Sequence, residues 1–225
     1  MSHRWLHLRF TGPLMAFGGV AIDQVGPTRE FPSASMLTGL LANALGWQRS
    51  ETAAHQDLQD RLIFAALTAR EGRVLTDSQN AKLEKNDRGW TTWGEPEGRA
   101  GASYDNPHRR RRDYLADHDC RVVLRLIPGA GPTAENLAAA LERPARPLSI
   151  GRKPCLPSAP IFMGWVEGAS ARDALLALGL AGRAIWPGPE GGAGIGTQQR
   201  ELADLRNWRS GLHGGTRIVV EGTIQ

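Results

Sequence analysis

The spacing of apolar residues and the position of helix caps predict an α+β domain whose elements run strand, helix, strand, strand, helix, strand. Apolar runs that alternate or cluster predict the strands, and capped stretches with apolar residues every three or four positions predict the helices. A polar interruption at about 72–119 separates the two halves of this order. The order is typical of a ferredoxin-like domain, here with a long arm inserted between its second and third strands.

The first half of this order contains one strand, one helix and one ambiguous segment. Residues 4–10 alternate apolar and mostly polar side chains, which predicts a half-buried strand. Residues 33–45 begin at a serine cap, repeat apolar side chains at helical spacing and stop at Gly46, which predicts an amphipathic helix. Residues 55–69 begin polar and helical and become apolar at Leu62, where periodicity alone leaves helix and strand open.

The second half repeats the pattern and continues into a less regular, β-rich extension. The predicted elements are a strand at 121–127, a helix at 133–142, a strand at 161–167, a short helix at 170–178 and a last strand at 217–221. Both helices begin at a Ser or Thr that can cap the first turn. We therefore assign residues 1–168 to the ferredoxin-like domain with its inserted arm, and residues 169–225 to a C-terminal extension packed on the same domain.

The composition is that of an ordinary globular protein and excludes several classes. Of the 225 residues, 41% are hydrophobic and 22% are charged, which argues against disorder. No apolar run approaches the roughly 18 residues that a membrane helix needs, and the charges near the N-terminus argue against a signal peptide. We therefore expect a cytoplasmic protein without membrane contact, in which Cys120 and Cys155 are reduced, buried thiols.

The positive charge is carried almost entirely by arginine. Lysine occurs only at positions 82, 85 and 153, so 24 of the 27 basic residues are arginine, and the formal net charge is +4. The arginine guanidinium binds phosphate through a planar pair of donors and stacks on bases. This balance favours a polyanionic partner such as a nucleic acid.

The densest charge lies at the end of the predicted arm. It directly follows His108 and consists of Arg109, Arg110, Arg111 and Arg112. Four consecutive guanidinium groups repel one another unless a bound anion or acidic neighbours compensate their charge. Contact with a nucleic acid and internal pairing with Asp113, Asp117 or Asp119 are both open at this point.

Aromatic residues and a second basic stretch accompany this cluster. The flanking aromatic residues are Trp90, Trp93, Tyr104 and Tyr114. They either stack on bases or form the arm's own core. Further along, residues 143–166 include Arg152 and Lys153, lack acidic residues and are held extended by five prolines. Such a segment can follow a phosphate backbone, pack against a neighbouring subunit or simply close the domain.

Motifs for catalysis, metals and nucleotide cofactors are missing or incomplete. The glycines at 192–196 lack the spacing of a dinucleotide site, and the six histidines show no metal-binding pattern, so we expect neither a cofactor nor a metal. A metal-free ribonuclease needs only one base and one acid. Either His108 or Tyr104 could serve, but nothing in the sequence selects one of them. The residues by themselves therefore demonstrate no catalysis, and an endoribonuclease stays open as an alternative.

Three blocks of the sequence together resemble one known family. The first is Leu6-x-Leu-x-Phe-x-Gly-Pro13 followed by Arg29-x-Phe-Pro-Ser-x-Ser-x-Leu-x-Gly-Leu-Leu41, the second is Arg112-Asp-Tyr-Leu-x-Asp117 before a strand, and the third is Ile150-Gly-Arg-Lys-Pro-Cys155. They cover about half of the chain. The combination resembles the CasD family, the small RNA-capping subunit of the type I-E CRISPR surveillance complex, Cascade.

The resemblance implies a repeat-associated RNA-binding fold in which the arm is a β-hairpin thumb. It also implies that the chain binds and caps the 5′ handle of the CRISPR RNA, joins CasC-type backbone subunits to a CasA-type large subunit, and meets target DNA only through the complex. Because the CasD-type subunit is not the nuclease of its complex, the resemblance implies no enzyme activity. The related subunit of type I-C systems cuts precursor RNA with a Tyr/Lys/His set that we cannot locate in this chain. A type I-C-like, metal-independent endoribonuclease and a protein scaffold without RNA contact are the two alternatives.

The resemblance also assigns candidate RNA-binding residues. By position, Arg112 corresponds to the arginine at the thumb's return, Arg29 and Ser33 to the start of the first helix, and Arg152 to a basic turn. A helix start with free amides suits a phosphate. Typical members carry Thr-Arg-Ser where this chain has Ser33-Ala-Ser35, so one arginine is lost. With the neighbouring residues, the predicted RNA-binding set is Arg29, Ser33, Ser35, Arg109, Arg110, Arg111, Arg112, Tyr114, Arg152 and Lys153.

Overall fold

A computed structural model describes residues 2–82, 107–188 and 196–225 of the chain. The strands in these residues are β1 (His3–Thr11), β2 (Leu14–Met15), β3 (Val25–Gly26), β4 (Leu62–Arg70), β5 (Arg73–Ala81), β6 (His108–Ala116), β7 (Asp119–Leu126), β8 (Phe162–Gly168), β9 (Gly182–Pro187), β10 (Gln198–Arg206) and β11 (His213–Ile224). The helices are α1 (Ala34–Ala44), α2 (Thr52–Arg61), α3 (Ala134–Glu142) and α4 (Ala171–Leu176). None of these helices has the length and apolarity to cross a membrane. Trp90, Trp93, Tyr104 and most of the glycine run at 192–196 lie outside the described residues.

Seven strands form one antiparallel sheet in the order β10-β11-β9-β4-β7-β1-β8. Strand β1 lies between β7 and β8, with Leu6 opposite both Leu124 and Trp165. The three strands from the C-terminal part of the chain extend this sheet beyond β4. The prediction of a mixed α+β fold is confirmed, and the sheet is larger than the sequence indicated.

Helices cover this sheet on both faces. Leu6 and Leu8 of β1 pack in the main core cluster, which also contains the buried side chains of α1 and α3. Trp5 points to the opposite face, because successive side chains of a strand alternate, and lies in a second cluster with Leu175 of α4 and Trp186 of β9. Helix α1 is thereby held with its apolar face on the core, and its other face is available to form a surface.

Most predicted elements are confirmed within a few residues, namely β1, α1, β7, α3, β8, α4 and β11. The ambiguous segment divides at one point: α2 ends at Arg61 and β4 begins at Leu62. Strand β4 lies between β7 and β9, and residues 64–68 are all buried. A strand covered on both faces shows no alternation of apolar and polar residues, which is why the sequence alone left the segment open.

Residue patterns did not predict the strands β5 and β6, because they are mostly polar, and only the resemblance implied a β-hairpin in this arm. They pair antiparallel, from Arg73 opposite Ala116 to Ala81 opposite His108. Most of their side chains are exposed, so no buried apolar face marks them in the sequence. We call this pair the β5–β6 ribbon. Strand β6 also pairs with the short strands β2 and β3, which attach the ribbon to the rest of the chain.

Candidate nucleic-acid interface

A groove follows the face of α1 that does not contact the core. Its larger part is a cavity of about 820 Å³, lined in part by Ser33 and Ser35 at the start of this helix. A second cavity of about 460 Å³ adjoins it near the end of the helix. The residues that line both cavities are Gly39, Asn43, Arg146, Arg206 and Trp208. We call the two cavities together the basic groove.

The charge of the basic groove is positive along its whole length. The basic residues that line it are Arg49, Arg146, Arg152, Lys153, Arg206 and Arg209. Neither Asp nor Glu is found among the described residues that line either cavity. A concave surface lined by one sign of charge concentrates ions of the opposite sign. The groove is therefore suited to an extended anionic ligand.

One wall of the groove is the basic stretch identified in the sequence. Arg146 anchors it, because its guanidinium donates to the carbonyl oxygens of Gly46 at 2.7 Å and Trp47 at 2.8 Å, just after α1. The turn at Gly151 packs closely on the chain near Ala16: a Cβ at Gly151 would lie 1.7 Å from the Ala16 carbonyl oxygen, and the φ of Gly151 is +87°. Only glycine fits such a position.

The other wall is the connection between β10 and β11, which the sequence analysis missed. The Trp208 indole N–H donates to Gln59 Oε1 at 3.1 Å, and the Trp208 amide donates to Gln56 Oε1 at 3.1 Å. The Trp208 ring also lies 4.7 Å from the ring of His55. These contacts fix the connection to α2. A tryptophan between basic residues at 206–209 is the sequence signal that could have identified this wall.

From the sequence we expect free backbone amides at the start of α1 that could bind a phosphate, and this expectation is wrong. Ser33 Oγ accepts from the Met36 amide at 3.1 Å, and Asp204 Oδ2 accepts from the Ala34 amide at 3.1 Å. Asp204 is buried and paired with Arg217 at 2.9 Å. Because side-chain oxygens already accept from the Ala34 and Met36 amides, these two donors are not available to a phosphate.

Arg152 lies in the groove wall and joins three segments of the chain. Its guanidinium donates to the carbonyl oxygens of Asp113 at 2.8 Å and Gly26 at 2.7 Å. It also lies over the ring of Tyr114, with 4.9 Å between the guanidinium carbon and the ring centre. Tyr114 is only 5% exposed and belongs to the core cluster, so we correct its expected role of stacking on bases to a packing role.

The arginine cluster lies on β6, with its side chains mostly exposed on the ribbon. Two of the three acidic residues that could have paired with it have other partners: Asp119 pairs with Arg9 at 2.6 Å and Arg121 at 2.8 Å, and Asp113 accepts from Thr76 at 2.7 Å. Among the described residues, no carboxylate forms an ion pair with Arg109–Arg112. The cluster therefore keeps its positive charge uncompensated within that part of the chain.

The ribbon meets the basic groove at Gly26. A Cβ on Gly26 would lie 3.0 Å from Arg112 Nη1 and 3.1 Å from Arg152 Nη2, so the two guanidinium groups converge there. Arg112 Nη1 donates to the Gln24 carbonyl oxygen at 3.0 Å. Both guanidinium groups donate to backbone carbonyl oxygens, which do not cancel their charge, so the junction stays positive. The predicted residues of the ribbon and of the basic turn thus form one continuous surface.

Arg29 lies apart from this surface. Its guanidinium donates to the Ala203 carbonyl oxygen of β10, and it lines a separate cavity of about 230 Å³ that also contains Glu30. Lys153 does line the groove and is exposed. The structure therefore brings together Ser33, Ser35, Arg152 and Lys153 in the groove and Arg109–Arg112 beside it, and leaves Arg29 outside.

The histidines lie in protected positions or away from the groove wall. His55 lines the groove but is 6% exposed, and its Nδ1–H donates to the Glu51 carbonyl oxygen at 2.8 Å. His118 is buried, which lowers its pKa, and its Nδ1 accepts from the Gly72 amide at 3.2 Å. Burial, reinforced by the charges of Arg121 and Arg9, lowers the pKa of His7 to about 4. The lowered pKa values of His7 and His118 favour the neutral form of these two rings.

Comparison with known proteins agrees with this architecture. Residues 5–220 match the family profile described as CRISPR-associated protein (Cas_Cas5). The chain is 30% identical over 172 residues to the CRISPR system Cascade subunit CasD of Escherichia coli strain K12, which covers 76% of this chain and 75% of that protein.

Two solved structures share the fold. A chain of a CRISPR RNA-guided surveillance complex superposes with a TM-score of 0.71 at 22% identity, covering 98% of this chain and 90% of that one. A second, solved as the crystal structure of a Cas protein, superposes with a TM-score of 0.60 at 24% identity, covering 98% and 94%. The match over nearly the whole chain and the identity to CasD confirm the resemblance found in the sequence, and the chain belongs to the Cas5 family of CRISPR-associated proteins.

Proposed function

We propose that this chain is a non-catalytic, RNA-binding subunit of a Cascade-type complex, and that the basic groove and the β6 arginines hold the 5′ handle of the CRISPR RNA. The observation that carries the proposal is the groove itself, which is lined by six basic residues and, among the described residues, by no acidic one. Single-stranded nucleic acid binds to such a channel through its phosphates. Family membership and the identity to CasD supply the kind of nucleic acid.

The path of the RNA follows from the continuity of the positive surface. It begins in the groove beside α1, passes Lys153, and reaches the ribbon where Arg112 and Arg152 converge on Gly26. The remaining arginines of β6 continue along the ribbon. Because consecutive residues of a strand face opposite sides, these arginines offer phosphate contacts on both sides of the ribbon.

We further propose that the core is ferredoxin-like and that the ribbon belongs to the β-hairpin thumb. The order β8-β1-β7-β4, with α1 and α2 between β1 and β4 and α3 between β7 and β8, supports the first proposal. The antiparallel pairing of β5 with β6 supports the second. In this view residues 1–168 form the RNA-binding domain, and residues 169–225 extend its sheet and complete its groove.

The partners of the complex are proposed on the same basis. The relative in Escherichia coli is a Cascade subunit. We infer that this chain joins CasC-type backbone subunits to a CasA-type large subunit in the cytoplasm, and that it meets target DNA only through the assembled complex. The guide RNA then reads the DNA by base pairing, while this subunit sets the end and the register of the guide.

The salt dependence of RNA binding tests the proposal. We expect RNA of the handle sequence to bind with an affinity that falls with salt, and each lost phosphate contact to reduce the logarithmic slope by roughly 0.7. Lys153→Gln, Arg109→Gln and Arg111→Gln should each reduce the slope, because these side chains are exposed on the proposed path. Arg4→Gln is the matched control, since it removes the same charge from an exposed residue at the start of β1.

Three results would contradict the proposal. Equal slopes for the three variants, the control and the natural protein would show that the groove and the ribbon do not contact phosphates. Robust, metal-independent cleavage of repeat RNA by this chain in a single-turnover assay would instead establish the type I-C-like endoribonuclease. Loss of complex assembly in the ribbon variants, with unchanged affinity for RNA, would favour the scaffold.

A further inference from the structure

The second cavity of the groove has a composition that its neighbour lacks. It lies where the end of α1, the start of α2 and the connection between β10 and β11 meet, and its volume is about 460 Å³. Small-molecule sites usually measure roughly 300–1,000 Å³. Three aromatic residues, Trp47, His55 and Trp208, line it together with arginines. A surface that only follows a phosphate backbone does not need such rings.

The aromatic residues form a rigid row. The His55 ring lies 5.5 Å from that of Trp47 at an angle of 65°, and 4.7 Å from that of Trp208 at an angle of 30°. Gln59 and Gln56 hold Trp208 by its indole N–H and its amide. Because these contacts are made inside the chain, a ligand that stacks on the row does not have to order it first.

The arginines around the row are available for an anion. Arg206 lies over the Trp208 ring at 5.1 Å, and its buried Nε has no hydrogen-bond partner among the residues that the structure describes. Arg49 and Arg209 are exposed at the rim. No carboxylate in the described part of the chain forms an ion pair with any of these three guanidinium groups. Stacking on a ring fixes a guanidinium while leaving its N–H edge free to bind phosphate.

We propose that this cavity binds one unpaired nucleotide of the RNA, with its base against the aromatic row and its phosphate on Arg49, Arg206 and Arg209. The inference rests on the proposed function, because the cavity opens into the groove that holds the strand. A free phosphate would use the arginines but leave the rings without a role. A base turned out of the strand uses both, as is usual where proteins recognise single-stranded RNA.

An abasic scan of the RNA tests this inference. Binding of the full chain to handle RNA is measured by fluorescence anisotropy, with each nucleotide in turn replaced by an abasic one. We expect one position at which the loss of the base weakens binding by about 5- to 100-fold, the usual range for a stacked base. In the Trp208→Ala variant this difference should disappear, so that the same abasic RNA and the intact RNA bind with equal affinity.

Two further variants keep the test valid if Trp208→Ala disturbs the fold. Arg49→Ala and Arg209→Ala change exposed side chains, so they should preserve thermal stability and weaken binding of intact RNA. Trp165→Ala is the matched control, since this half-buried tryptophan lies on β8 outside the groove, and its abasic profile should equal that of the natural protein.

The outcomes separate the inference from the function on which it rests. If the natural protein does not bind handle RNA, the proposed function itself is contradicted. If it binds, but abasic effects are uniform along the RNA or are the same in the natural protein and the Trp208→Ala variant, the cavity is not a nucleotide site while the groove still is.

Discussion

At the scale of single residues, the adjacent cations Arg152 and Lys153 have different tasks. Arg152 donates to the carbonyl oxygens of Asp113 and Gly26, so its loss leaves half-buried acceptors without a donor. Lys153 is exposed in the groove, and its ammonium forms no ion pair with any described residue. One position supports the structure and its neighbour is left for the ligand.

A matched pair of variants distinguishes these two tasks. We expect Arg152→Met to lower the free energy of unfolding by about 1–3 kcal/mol, the cost of leaving buried hydrogen-bonding groups unpaired. Lys153→Met should change stability by less than about 0.5 kcal/mol and weaken RNA binding instead. Urea denaturation followed by circular dichroism measures the first quantity. Equal stability of the two variants would contradict the role assigned to Arg152.

The lowered pKa values of His7 and His118 predict how the free energy of unfolding depends on pH. In the folded chain the pKa of His7 is lowered to about 4 by burial and by Arg121 and Arg9. The unfolded chain takes up this proton near the ordinary pKa of about 6.5, so stability is complete above that value and falls as the pH falls toward 4. His118, whose pKa burial also lowers, acts in the same direction.

We therefore expect the free energy of unfolding to decrease by about 1–2 kcal/mol between roughly pH 7 and pH 5. In His7→Gln the decrease should be smaller, because only His118 still takes up a proton on unfolding. Urea unfolding at the two pH values measures both quantities. An identical decrease in the variant and the natural protein would exclude His7 as a cause.

At the scale of elements, the first helix depends on a residue from the far end of the chain. Asp204 of β10 is 3% exposed, accepts the Ala34 amide at the start of α1 and pairs with Arg217 of β11. The carboxylate interacts favourably with the positive end of the helix. It also holds β10 and β11 against α1, which positions the second wall of the groove.

Removing the negative charge of Asp204 should lower the stability of the fold. We expect Asp204→Asn to lower the free energy of unfolding by about 2–3 kcal/mol, because it leaves Arg217 partly buried without its partner. The exposed Asp60→Asn is the control and should change stability by less than about 0.5 kcal/mol. Adding Arg217→Met to Asp204→Asn should recover part of the loss. Thermal unfolding at matched pH checks the order of the three variants, and equal values for Asp204→Asn and Asp60→Asn would contradict it.

The same element shows what sequence patterns can and cannot predict. Helix α1 was predicted because its cap and its apolar spacing are local properties of residues 33–45. That Asp204 occupies its amino end was not predicted, because the two residues in contact are 170 positions apart. Residue patterns did not predict strands β5 and β6 for a different reason: most of their side chains are exposed, so no buried apolar face marks them.

At the scale of the whole molecule, the groove is formed by segments that are far apart in the sequence. Residues of α1 line one side, the stretch around Arg146 and Arg152 lines another, and Arg206 and Trp208 complete it. Arg206 ends β10 and Trp208 lies in the connection to β11, and both of these strands belong to the same sheet as β1. The positive surface is therefore a property of the assembled fold rather than of any one segment.

The corresponding experiment is co-purification from cells that express this chain with neighbouring subunits and a CRISPR array. We expect the complex to contain RNAs of uniform length with one fixed 5′ end, because a subunit that holds the handle selects that end. Sequencing of the bound RNA measures this. The control is a complex in which Lys153, Arg109 and Arg111 are replaced by Gln, which should retain less RNA. Heterogeneous RNA, or none, in the unmodified complex would contradict the role.

The sequence by itself determined the elements whose signals are local. These signals are the alternation in β1, the capping residues of α1, α3 and α4, and the prolines and glycines that end helices and strands. The composition added the excess of arginine, which indicates an anionic partner. Three blocks of the sequence were not needed for these conclusions, but their combination indicated the CasD family, which the comparisons confirm.

Only the tertiary structure decided which of the charged and aromatic residues are free to act. Arg152 is occupied by carbonyl groups, Tyr114 is buried, and Arg29 lies outside the groove, while Arg206 and Trp208 enter it. The physical reason is that burial and hydrogen bonding depend on contacts between distant segments, such as the Gln59 side chain and the Arg206 carbonyl oxygen, 147 positions apart. Residue type predicts the chemistry that a side chain can perform, and its contacts decide whether that chemistry is available.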